Sequence, residues 1–151
     1  MRIYLVVVDE SPESRLAQRY AGRRASQTHG NVHILVVSQP PDFVAWGGVQ
    51  ETIEAEAKIQ AEATATAAAE ALHYDFGISP QITVRQGDVA EIVKAIINEQ
   101  SDIAVLVLGA AAAGPPGPLV AHFTGNDAGA MAIPVMIVPG SLSDEDVDRL
   151  G

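Results

Sequence analysis

The chain has 151 residues, with 9 basic against 19 acidic side chains and a formal net charge of -10. Hydrophobic residues make up 48% of it, aromatic residues 5%, and cysteine is absent. The length suits one domain; the acidity excludes a broad nucleic-acid-binding surface, and the missing cysteine excludes disulfides, thiolate metal sites and a cysteine nucleophile.

Residues 3–8 (IYLVVV) are apolar on both faces, as expected of a strand covered by helices on both sides. This run and residues 103–113 both fall far short of the roughly 18 residues of a membrane span. The first ends at once in Asp9 and Glu10, unlike a secretory signal, so a cytoplasmic protein without a membrane partner is expected. Ser11-Pro12-Glu13 then supplies an N-cap, a proline preset for the first helical position and an acid at the positive helix end. This first helix is predicted to run to His29, with Gly30 as its C-terminal glycine. Residues 32–37 (VHILVV) repeat the buried-strand pattern. The alanine-rich stretch 50–76 favours helix and stops before Gly77. Alanines offer little apolar area, so Ile53, Ile59 and Leu72 are expected to fix its packing.

Residues 82–85 alternate, which suits a strand nearer the sheet edge. Asp88 and Glu91 match a capping box for a third helix. Two further apolar strands, 103–108 and 135–138, are separated by a weaker helix, 119–132, interrupted by Gly125 and Gly129. The acids after Ser143 read as a solvated tail, although Ser143 can also cap a short helix. The whole is one domain, 1–140, followed by an acidic C-terminal tail, 141–151.

Strands and helices thus alternate, and right-handed crossovers make such an order a three-layer α/β/α sandwich with a parallel sheet. Ligands of such sheets bind beyond the carboxyl ends of the strands. Two loops fall there, 38–49 and 109–118. In the first, Phe43 and Trp46 either cover a ligand or partner or simply anchor the loop, with Gly47 and Gly48 as a hinge.

Four segments, RIYLVVVDESPES, QGDVAEIVKAI, DIAVLVLGA and IPVMIVPG, occur in this order over essentially the whole chain and resemble the universal stress protein family. The resemblance implies a Rossmann-like fold of the adenine-nucleotide-binding type, with a five-stranded parallel sheet of order 3-2-1-4-5. It also implies a stress-response regulator that is non-catalytic or weakly catalytic, and a homodimer through the last strand (Val135, Met136, Ile137 and Val138). It places Asp9 after the first strand, Val37 beside an adenine, Gly87-Asp88 at the turn into the third helix and Gly109 at the start of a phosphate loop. One branch of the family binds ATP and another has lost the site.

The phosphate loop departs from the family pattern. Ala112 stands where a second glycine is expected, the next glycines are Gly114 and Gly117, and the distal glycine-hydroxyl pair falls near Ala121-His122. Pro115, Pro116 and Pro118 have no N–H to offer a phosphate. No Lys or Arg lies between Lys94 and Arg149.

The candidate nucleotide contacts are therefore Asp9, Val37, Gly109, Gly114, Gly117, His122 and Thr124, for ATP or AMP, with Mg if the ligand is a triphosphate. Each has a plainer role beside this one: Asp9 as a helix cap, Val37 as core, the glycines as turns, His122 and Thr124 as surface. His29, His33 and His73 lack zinc-ligand spacing. No general base and no arginine stand ready for phosphoryl transfer, so slow ATP hydrolysis is the most the site would do. The alternative is a nucleotide-free homodimeric module that meets an unknown protein partner. A phosphoacceptor receiver domain is disfavoured, because the third strand ends in Arg85-Gln86 and the fifth in Val138-Pro139.

Overall fold

The computed structural model describes residues 1–38 and 48–151, with the backbone alone for 48–50. Phe43, Trp46 and Gly47 therefore lie outside the described residues. The elements follow in the order β1 (Ile3–Val7), α1 (Pro12–Gln27), β2 (Asn31–Ser38), α2 (Gly48–Phe76), β3 (Gln81–Gln86) and α3 (Val89–Glu99). Then come β4 (Ile103–Ala110), α4 (Pro118–Thr124), a 3-10 turn (Ala128–Ala130), β5 (Val135–Pro139) and α5 (Asp144–Leu150). All five strands are parallel and their order is β3-β2-β1-β4-β5. Among the described residues, no helix is long and apolar enough to cross a membrane.

Period-two alternation within doubly buried strands sorts the core into two layers. Tyr4, Val6, Val32, Ile34 and Val107 face α1, α2 and α5, while Leu5, Leu35, Leu106 and Leu108 face α3 and α4. Leu5, Leu35 and Leu106 are fully buried, and each such side chain is stabilised by roughly 1.5–3 kcal/mol relative to exposure. β3 is an edge strand with a largely exposed pattern, as its alternation implies.

Three local expectations are corrected. α1 ends at Gln27; the left-handed residue after it is His29 (φ 55), not Gly30, and the Gly30 amide closes back onto the Ala25 carbonyl. In α2 the alanines themselves pack: Ala61, Ala65, Ala68 and Leu72 form the buried stripe, while Ile59 is 66% exposed. Small side chains let α2 lie close to the sheet and to α1. The predicted helix 119–132 stops at Thr124, and a separate 3-10 turn follows Asp127.

The acids after Ser143 are a docked helix and not a solvated tail. Ser143 and Asp146 form a full capping box, and Val147 is fully buried against α1. Arg15 and Arg19, one helical turn apart, meet Asp144 and Asp148, which have the same spacing. The Arg19 guanidinium donates to both Asp148 oxygens, at 2.8 and 2.7 Å, which holds the Asp148 carboxyl below the usual carboxylate range.

His33 makes one of the few polar insertions in the core. It is 3% exposed, with Nδ1 at 2.7 Å from Gln100 Oε1 and Nε2 at 2.7 Å from Thr83 Oγ1. Both ring nitrogens are thus satisfied in the neutral form, and burial pushes its pKa down. The unfolded chain then binds a proton that the folded chain refuses. The stability contributed by neutral His33 is complete above about pH 6.5 and is lost as pH falls below that value. Urea midpoints between pH 7.5 and 5 are expected to decline, and His33→Gln should flatten that decline; an unchanged slope in the variant would refute the assignment.

Candidate functional site

The strands β1, β2 and β4 release the chain on the same side of the sheet, and a cavity of about 660 Å³ opens there. Its walls are the end of β1 (Val7, Val8, Asp9), Val37 of β2, Leu108 and Gly109 of β4, the first turn of α1, the turn into α3 and the start of α4. This is the position at which connections leave the sheet in opposite directions, where α/β sheets place ligands. The volume lies within the ordinary range for small-molecule sites.

Of the seven candidate residues, Asp9, Val37, Gly109, Gly117 and His122 line this cavity, while Gly114 and Thr124 do not. The Thr124 hydroxyl is spent on the Val120 carbonyl of its own helix, at 2.6 Å. Gly114 sits in the exposed part of the loop before α4. Sequence reasoning named Ser11 and Asp88 as helix caps and Gly87-Asp88 as the turn into the third helix, but not as cavity lining, and it passed over Ser14. These residues reach the cavity because their elements start where neighbouring strands end.

Asp9 organises the start of α1. Its Oδ1 accepts from the Ser11 amide at 2.8 Å and from the Ser11 hydroxyl at 2.5 Å, and its own amide donates to Ser14 Oγ at 2.9 Å. Ser11 Oγ in turn accepts from the Ser14 amide as the N-cap. Asp9 Oδ2 takes no hydrogen bond among the described residues, so it remains available to a ligand.

Gly109 is where β4 passes the first turn of α1. A Cβ there would stand 2.2 Å from the Glu13 carbonyl oxygen, so no side chain fits. The loop beyond is drawn tight: the Ala111 amide donates to the Pro116 carbonyl and the Gly140 amide to the Ala110 carbonyl. Gly117, at φ 115 and ψ 155, occupies a region open essentially to glycine alone, and from there α4 starts at Pro118. One amide of the loop is thus committed internally, and the prolines contribute none.

Charge around the cavity is negative. Asp9, Glu13 and Asp88 line it, and His122 is the sole basic side chain among its described lining residues. His122 Nε2 lies 2.9 Å from Asp127 Oδ2, which also accepts from Lys94 Nζ at 2.8 Å. That bond keeps the Asp127 carboxyl below, and the Lys94 ammonium above, their usual ranges. Lys94 therefore reaches the α4 side of the site from α3, but its charge is met by Asp127. Among the described residues, no group of three His, Asp or Glu side chains is placed to hold a metal ion.

The universal stress protein family model matches residues 1–139. Solved structures share the fold at low sequence identity. Universal stress protein UspA from Lactobacillus plantarum has a TM-score of 0.75 and 14% identity, over 91% of this chain and 97% of that one. A universal stress protein from Archaeoglobus fulgidus in complex with dAMP has a TM-score of 0.64 and 14% identity, over 91% and 97%. An Arabidopsis thaliana family protein with AMP bound has a TM-score of 0.57 and 13% identity, over 96% and 95%. No curated protein matches the chain. A family match over nearly the whole chain, carried on the family's strand order, makes this protein a member of the universal stress protein family.

Proposed function

We propose that the protein is a cytoplasmic, homodimeric stress-response regulator that binds an adenine nucleotide in the cavity at the strand ends, with no strong catalysis of its own. The observation that carries this is the convergence of Asp9, Val37, Gly109, Gly117 and His122 on that single cavity. Asp9 Oδ2 accepts from a ribose hydroxyl, Val37 and Val7 flank the adenine, and His122 faces a phosphoryl group across the reshaped loop. Relatives of the same fold hold AMP and dAMP, which supports a monophosphate as the ligand class. Dimerisation is assigned to the outer backbone edge of β5, a five-residue strand that pairs only with β4 among the described residues; unpaired strand edges favour self-pairing.

Calorimetric titration with adenosine and AMP tests the reading. One site per chain with a dissociation constant in the micromolar range is expected for AMP, and Val37→Trp, which fills the adenine side, should abolish it. Heat no greater than the buffer blank at millimolar ligand would instead favour the nucleotide-free interaction module, a reading that rests on the prolines and acids around the loop.

A further inference from the structure

Arginine and tyrosine occur together twice in this chain, each time at the spacing of the element that carries them. Arg2 and Tyr4 are two residues apart, at the strand period, at the start of β1. Tyr20 and Arg24 are four apart, at the helix period, in the second half of α1. The fold brings both pairs to one groove of about 370 Å³, floored by Val105, Val107 and Met136. It lies at the amino ends of β1, β4 and β5 and shares no lining residue with the cavity at their carboxyl ends.

The groove is open because the helices cover this face only in part. α5 is seven residues long and lies beside α1 at Arg15 and Arg19, which leaves Met136 39% exposed. Strand register sets Tyr4 beside Val105 and Val107 beside Met136, so the apolar floor is continuous across three strands. The Tyr4 hydroxyl is engaged by Thr28 Oγ1 at 3.0 Å, and its ring belongs to the floor.

The walls carry the opposite sign to the rest of the molecule. Among the described residues, the Arg2 and Arg24 side chains have no hydrogen-bond or carboxylate partner, whereas Arg15, Arg19, Arg85, Arg149 and Lys94 are all paired. In a chain of net charge -10, two guanidiniums left free on one apolar groove are complementary to an external anion. Guanidinium forks match carboxylates, and guanidinium and tyrosine faces stack on flat rings. A bare inorganic anion would leave the apolar floor in water, and a groove of about 370 Å³ suits a compact ring better than an acyl chain.

We infer that this groove binds a small planar aromatic carboxylate, its ring on Tyr20 and Met136 and its carboxylate on Arg24 and Arg2. Titration of the full chain with 2-naphthoate, followed by amide NMR shifts, tests this. Saturable one-site binding below millimolar concentration is expected, with shifts at Ala104, Val105 and Met136 and none at Val37 or Gly109. The uncharged 2-naphthamide should bind at least tenfold more weakly, as should 2-naphthoate to Arg24→Gln or Arg2→Gln, both with unchanged denaturation midpoints. The inference is overturned by absent saturation, by equal binding of the amide, or by inorganic phosphate competing as well as 2-naphthoate does. It is also overturned if sedimentation of Met136→Lys shows that a second copy of the chain covers the groove.

Discussion

Gly109→Ala is expected to lower the unfolding free energy by about 3 kcal/mol, in the upper range for an overpacked site. At this chain length that corresponds to a fall in Tm of about 6–12 °C. The added methyl would meet the Glu13 carbonyl oxygen at 2.2 Å and its carbon at 2.5 Å. Those are backbone atoms of the first turn of α1, which Asp9, Ser11 and Ser14 hold in place through their capping bonds. Relief would require α1 to move away from β4 and would open the core packed by Leu16 and Ala17. Gly129→Ala is the matched control: nothing stands within 4 Å of its added Cβ, so its stability should stay within about 0.5 kcal/mol of the parent. Urea denaturation of both variants without ligand separates packing from binding. A Gly109→Ala protein as stable as the control would show that the strand and helix do not approach as closely as the structure has them.

The same glycine shows how far sequence carries the argument. Its place at the end of an apolar strand is readable, but the partner that forbids a side chain there lies 96 residues earlier, a distance only the fold closes. Continuous apolar runs identified four of the five strands, because burial between two helical layers leaves little else for such segments to do, while alternation marked β3 at the sheet edge. Local caps at Ser11 and Asp88 were equally readable, since their hydrogen bonds reach only three residues. The docking of α5 was hidden: its composition is acidic, one buried valine holds it, and the complementary spacing of Arg15 and Arg19 with Asp144 and Asp148 links opposite ends of the chain. The candidate site divides the same way. Residues at strand ends, Asp9, Val37 and Gly109, were legible; the setting of His122 was not, because Asp127 and Lys94 come from a turn and a neighbouring helix.

Adding sodium chloride from 20 to 200 mM, without magnesium, is expected to tighten ATP binding severalfold and to leave adenosine unchanged. Proteins that grip phosphates with cations behave in the opposite way. The reason is the sign of the cavity: Asp9, Glu13 and Asp88 line it and neither Lys nor Arg does among the described residues. Like charges about 8 Å apart repel by roughly 0.5 kcal/mol in a water-like dielectric and by about four times that near a protein surface. A triphosphate sums several such pairs, so at low salt ATP should bind about tenfold more weakly than AMP, a difference of about 1.4 kcal/mol. Asp88→Asn tests the origin of the deficit. Asparagine caps a helix as well as aspartate does, so the bond from the Glu91 amide survives while one charge disappears. ATP should then gain more than AMP, and adenosine should gain nothing. If salt weakens ATP binding in the parent protein, cations or aligned amides must cradle the phosphates, and the acidic wall is not what selects the ligand.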